Sequence, residues 1–317
     1  MPAEMGWQRY SNFRKELTWG TRDGAGTDLY IPLSNQSMST QVQSVQADLY
    51  TGLRQRVHNR VQRATCSGQI SLPLFGVHVA SKSIAQHLIE WATNGPATPF
   101  LDSFTIDIAD ANENKRYLGA RVNQMTIAGD ADGGIVTGTF DVQAKEETAP
   151  GSITAVSATA PSPVEFAFSD VKFFLSTDAE AEDATAEGEE VPIRGFSLSF
   201  ANNLVVKHTN SYFPTLIAAG VRNVGLQIQI FKESAFYDGL RRASTVTRRG
   251  GRLVLKGQHL GTASGTLTTI EFLFDRLNFA NAVDAYTLND LTTQTADWIA
   301  LKPSTTEPEL EIIYGTE

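Results

Sequence analysis

From Ile135 to Lys145 the chain alternates with a period of two. Val136, Phe140, Val142 and Ala144 fall on one side, with Gly138 a gap in that row. Thr137, Thr139, Asp141, Gln143 and Lys145 fall on the other. A helix cannot segregate such a pattern, whereas a strand with one face buried and one face wet requires it. Leu226 to Ile230 alternates in the same way. Gln41 to Gln46 is polar but strand-compatible, and Leu267–Phe274 and Glu309–Tyr314 are rich in Thr, Ile, Leu and Phe. Asp130-Ala131-Asp132-Gly133-Gly134 has the composition of a turn, so it predicts a hairpin between Arg121–Ile127 and Ile135–Lys145. Helical periodicity is scarce. Ser83 to Thr93 places Ile84, Leu88 and Trp91 on one face, with Ser81 or Ser83 as the cap and Asn94-Gly95-Pro96 as the stop. A second helix is expected over Ala235–Ala243, capped by Ser234 and weakened by Gly239.

The chain is long enough for two domains, and its halves resemble each other. Ile31-Pro32-Leu33-Ser34-Asn35-Gln36-Ser37-Met38-Ser39 aligns with Val191-Pro192-Ile193-Arg194-Gly195-Phe196-Ser197-Leu198-Ser199, 160 residues further on. Each copy leads to a polar stretch, a strand opened by glycine (Gly68 or Gly225), a short helix and more strands. The expectation is a duplicated domain, residues 1–147 and 164–317. The linker is 148–163, where Ala, Ser, Thr and Pro show no periodicity. Thr177–Glu190 carries seven carboxylates and no basic residue, and is expected to be a solvated loop.

Composition narrows the function. Net charge is −9, so general binding to nucleic acid through phosphate neutralisation is not expected. One cysteine, Cys66, cannot make an internal disulfide. No apolar run approaches the ~18 residues of a membrane helix, and the N-terminal residues lack the apolar core of a signal peptide. A soluble protein made in a cytoplasm is expected. Nor does any catalytic signature occur. His58, His78, His87, His208 and His259 show no metal-ligand spacing, and there is no nucleophile elbow or phosphate-binding glycine loop. No catalytic centre, metal or cofactor is expected. Cys66 reads as a strand thiol, and Gly261–Thr266 as a hairpin turn.

Phe13-Arg14-Lys15-Glu16-Leu17-Thr18-Trp19-Gly20-Thr21 resembles the K-E-x-x-[YW]-G-T opening of phage tail tube proteins. Gly52-Leu53-Arg54 and Ser67-Gly68-Gln69-Ile70 are similar to later stretches of the same family. Phe196-Ser197-Leu198-Ser199-Phe200-Ala201-Asn202-Asn203-Leu204 is similar to its F-S-[LI]-x-[IF]-x-N-N-L run. The resemblance covers roughly residues 13–315. It implies a mainly β protein of two tandem β-sandwich or rolled-sheet domains, each with a short flanking helix. It further implies a non-enzymatic virion subunit. Six such domains form a ring whose inner sheets join into a barrel. Rings stack into a tube that conducts DNA without binding it specifically. With two domains per chain, three chains would close the ring. Tape measure and tail terminator proteins are the other partners implied.

Closing strands into a shared barrel would remove the edges that a strand-rich chain otherwise leaves open. Two arginine groups, Arg54/Arg56/Arg60/Arg63 and Arg241/Arg242/Arg248/Arg249/Arg252, are expected in loops outside the strands, meeting acidic surfaces of neighbours. Arms at Gly52–Arg63 and Thr177–Glu190 are expected to order on stacking. The polar row Thr137, Thr139, Asp141, Gln143 is expected to face water. The competing readings are a capsid decoration or baseplate-type protein and, less well supported, a carbohydrate-binding β-sandwich. The dispersed Trp7, Trp19, Trp91 and Trp298 do not form the aromatic platform that the last would need.

Overall fold

The structure, a computed structural model, describes residues 10–24, 28–46, 59–76, 78–79, 82–93, 101–109, 113–150, 153, 165–176, 189–231, 248–257, 268–285, 292–302 and 308–316. The first half contains β1 (Tyr10–Lys15), β2 (Leu29–Tyr30), β3 (Asn35–Gln36), β4 (Ser39–Gln46), β5 (Asn59–Pro73), β6 (His78–Val79), β7 (Lys82–Ser83), α1 (Ile84–Thr93), β8 (Phe104–Ala109), β9 (Asn114–Asp130), β10 (Thr137–Ala144) and β11 (Glu146–Thr148). The second contains β12 (Val171–Leu175), β13 (Glu189–Val191), β14 (Gly195–Ala201), β15 (Val205–Lys207), β16 (Leu216–Ala218), β17 (Asn223–Phe231), β18 (Arg248–Lys256), β19 (Thr268–Ala285), β20 (Thr293–Ala300) and β21 (Glu311–Thr316).

The antiparallel pairings of the first half recur in the second. β2–β1–β8–β9 is matched by β13–β12–β18–β19. β9–β10–β5, with β3 and β4 on the far side of β5, is matched by β19–β20–β17–β14. β11 on β9 is matched by β21 on β19. Even an irregularity recurs. The β9–β10 ladder skips Asn123 opposite Asp141/Val142, and the β19–β20 ladder skips Ala280 opposite Asp297/Trp298. Gln69 donates to Asp141 across β5–β10 at 3.0 Å, and Gln227 donates to Asp297 across β17–β20 at 2.8 Å.

β9 and β19 are long because each serves two sets of partners. The first part of β9 pairs with β8 and β11, and its last part with β10. The two halves then join edge to edge. β14 pairs with the end of β9 over seven residues, from Gly195 opposite Asp130 to Ala201 opposite Gln124. A single sheet therefore runs β4–β5–β10–β9–β14–β17–β20–β19 across the whole chain.

The apolar faces meet in a core that is also continuous between the halves. In the first half α1 lies under the sheet. Trp91 sits 5.7 Å from Phe13, 5.0 Å from Phe104 and 6.5 Å from Phe140, ring centre to ring centre. Ser83 caps the helix, its hydroxyl accepting from the Gln86 amide at 3.0 Å. Phe166 inserts beside β5 and β10, where its amide bonds Leu74 O and its carbonyl accepts from Val136, each at 2.9 Å. The start of the segment assigned to the second unit is thus stitched to the first.

Ser83–Thr93, the 130–134 turn and the alternating strands stand where the sequence puts them. Gly138 leaves no hole, because the Leu74 and Phe140 side chains fill its place. The helix expected over Ala235–Ala243, the turn at Gly261–Thr266, most of the linker, Gly52-Leu53-Arg54 and most of both arms lie outside the described residues. A flanking helix is therefore described in the first half alone, and the two halves share one continuous sheet through β9 and β14.

Candidate functional site

The functional surface is a sheet face rather than a cleft with reactive groups. On the side of the continuous sheet away from the core, β5 presents Ser67, Gln69 and Ser71, and β10 presents Thr137, Thr139, Asp141 and Gln143. β9 presents Gln124 and Thr126, β14 Ser197 and Ser199, and β17 Gln227 and Gln229. β20 presents Thr295 and Asp297. All are half-buried or exposed, while most of the alternate residues are buried. The face is hollowed: one depression is lined by Ser34, Thr137, Ala128, Ser197, Gln227 and Thr295, from six neighbouring segments. The wall is rich in hydroxyls and amides that hydrogen-bond water, with Ile135 and Ile299 the apolar residues exposed on it. Of the row expected to face water, Thr137 is exposed and Thr139, Asp141 and Gln143 are half-buried. The sequence did not reveal that five more strands extend it.

The junction that makes the face continuous is clasped by side chains. Asn202, buried at the end of β14, donates through Nδ2 to Ala92 O of α1 at 2.8 Å and to Val122 O of β9 at 3.0 Å. Asn203 takes φ 48°, a left-handed turn that asparagine tolerates, and donates to Val221 O at 2.6 Å. Asn123, skipped by the β9–β10 ladder, receives the Leu204 amide at 2.8 Å. Arg222 reaches Thr93 O at 3.1 Å. Buried Arg121 of β9 bonds Ile217 O of β16, and burial pulls its guanidinium below the usual arginine range. The Asn-Asn-Leu run is thus a docking element between the halves.

The opening motif is structural too. Glu16, 6% exposed, receives four donors: the Gly20 amide at 2.8 Å, the Gly119 amide at 2.8 Å, the Ser103 hydroxyl at 2.8 Å and the Thr105 hydroxyl at 2.9 Å. Trp19 donates to Gly119 O at 3.1 Å and lies between the Arg121 and Lys145 cations, each 5.2 Å from its ring centre. Gly119, with φ +66°, has the Trp19 ring where a side chain would begin. A neighbouring lattice of charges joins Arg14 to Asp28, Arg22 to Asp28 and Asp107, and Arg116 to Asp107. Asp107 is 2% exposed, and it raises the Arg116 pKa. These carboxylates are committed to holding the first loop.

Cys66 is buried in β5 beside Thr40 at 3.2 Å, and burial pushes its thiol upward, away from a reactive thiolate. His87 is half-buried on the flank of α1. Among the described residues no group of His, Cys, Asp and Glu is arranged to hold a metal, and no helix is long and apolar enough to cross a membrane.

The arginines correct an expectation. Arg60 and Arg63 lie in β5, and Arg248, Arg249 and Arg252 in β18, not in loops. These strands accept arginine because its stem packs along the sheet while its head finds a partner across it. Arg63 donates to Gln43 at 2.6 Å, Arg249 to Ser176 O at 2.7 Å, and Arg252 meets Glu271 at 3.1 Å over the Phe174 ring. Arg54, Arg56, Arg241 and Arg242 lie outside the described residues.

Fold and face together define a β-structural protein whose continuity depends on strand edges. The family comparison agrees: the model of the phage tail tube protein family matches residues 6–298, and the chain belongs to that family. Its role is structural, in a phage tail tube. No curated protein matches the sequence.

Proposed function

We propose that the chain is the ring-forming subunit of the DNA-conducting tube. It would carry two tube-type domains, 1–147 and 164–317 with the linker 148–163 between them, so that three chains make one ring. Stacked rings then form the tube, with tape measure and terminator proteins as further partners and no catalytic centre. The observation that carries the reading is the polar, hollowed face crossing from one half to the other through β9–β14. A wall of Ser, Thr, Gln and the carboxylates of Asp141 and Asp297 suits a DNA channel, because it supplies no cation array to release counterions and grip the duplex. Transit needs such a wall.

Negative-stain microscopy of concentrated, purified chain tests this. Hollow tubes or stacked rings are expected. A fixed small oligomer that never polymerises would refute it and favour a capsid decoration or baseplate-type role.

A further inference from the structure

We infer that residues 165–168 act as a strap that locks β14 onto β9 within a single chain: the segment is rooted in the core of the first half and bears on the entry strand of the second. The inference concerns the lone chain and does not depend on how many chains make a ring.

The root is a backbone cycle. The ladder between β5 and β10 ends at Pro73 opposite Thr137. Beyond it Phe166 enters between the two strands. Leu74 N–H donates to Val136 O, Val136 N–H to Phe166 O and Phe166 N–H to Leu74 O, each at 2.9 Å. All three residues are 0% exposed. The flanking residues continue the pairing on both sides, with Glu165 opposite Phe75 and Ala167 opposite Ile135. Without the segment, the Val136 amide and the Leu74 carbonyl would lose these partners inside the core, which is costly enough to keep the strap seated.

Phe168 carries the hold to the junction. Its amide donates to Gly134 O at 3.0 Å. Its ring stacks on that of Phe196, with centres 6.3 Å apart and planes 15° from parallel. Phe196 stands opposite Gly129 in the β14–β9 ladder. A side chain at 129 would begin 3.1 Å from Phe196, 3.2 Å from Phe168 and 3.3 Å from Val136, so glycine is what lets both rings close over the strand. The Asn202 clasp lies at the other end of the same ladder. The junction is thus held at both ends, from the second half by Asn202 and from the first half's core by the strap.

The strap is also short of slack. The Phe168–Asp170 turn leads straight into β12 at Val171, so the chain passes from the first half's core to a strand of the second within a few residues. Phe196 and Ile135 line the hollow of the wet face. Holding them fixes the shape of that face where it crosses between the halves.

Hydrogen exchange read by mass spectrometry on the full, unassembled chain tests the strap. Phe166→Ala removes the root. Gly129→Ala keeps the root and wedges Phe168 away from Phe196. Phe166→Leu keeps an apolar plug and is the control. Both alanine variants should speed exchange about tenfold or more over 127–130 and 195–198. The β1–β8 and β18–β19 ladders should keep the parent's rates. Phe166→Leu should stay close to the parent throughout. Acceleration confined to Leu74 and Val136, or spread evenly over every ladder, would overturn the strap and leave Phe166 as ordinary core packing. Gly129→Ala gives the answer alone if Phe166→Ala does not fold, and parent rates over 127–130 and 195–198 in that variant would overturn the strap equally.

Discussion

Replacing Glu16 tests whether the opening motif is an anchor. The carboxylate is buried and splits its four donors evenly: Oε1 takes the Thr105 hydroxyl and the Gly119 amide, and Oε2 takes the Ser103 hydroxyl and the Gly20 amide. Hydroxyls rotate to other acceptors, but the two amides are fixed by the backbone. Glu16→Ala strands both. Each buried orphan costs ~1–3 kcal/mol, and hydrogen bonds to charged groups contribute ~1.5–3 kcal/mol each, so a loss of about 4–6 kcal/mol is expected. Glu16→Gln keeps one oxygen and turns an NH2 toward the donors of the other. One amide is stranded, and the expected loss is about half as large. Urea unfolding of the isolated chain reads both, as a lower midpoint at unchanged slope. A Gln variant as stable as the parent, or an Ala variant costing below ~1 kcal/mol, would refute the anchor.

Asn202→Ala should cost about 2–4 kcal/mol by removing both bonds to the Ala92 and Val122 carbonyls, and hydrogen exchange should quicken first along β14 and the end of β9. Gly138→Ala should destabilise by ~1–3 kcal/mol, since the new methyl would lie 2.9 Å from Leu74 and 3.0 Å from Phe140; a neutral thermal melt would show that Leu74 moves freely. Burial raises the pKa of Cys66, Tyr117 and Tyr314 in the folded chain. Their contribution is therefore complete below the unfolded values, ~8.5 for thiol and ~10 for phenol, and lost as pH rises past them. Stability measured from pH 8 to pH 11 should fall, and alkylation of Cys66 should wait for unfolding; rapid alkylation of the native chain would contradict its burial.

Period-two alternation made the core strands legible because burial on one face writes directly into sequence, as in Val136–Ala144. Helix α1 was legible through its cap and the Ile84–Leu88–Trp91 stripe. The resemblance marked Glu16 and Asn202 but could not reveal their partners, which apart from Gly20 lie about 80 to 110 positions away. The arginine strands were misread because neither alternates: β5 opens with polar residues on both faces, and β18 buries Leu253, Val254 and Leu255 in succession. Edge pairing such as β14 on β9 leaves no local signal either, since backbone groups make the ladder and any alternating strand fits.

The most direct test of the account is the number of chains in one ring, counted by native mass measurement of isolated rings or by the symmetry of the tube in electron cryomicroscopy. Three chains, with each ring showing six similar β units, is the predicted result. Six full chains per ring would contradict it, because each ring would then hold twelve such units.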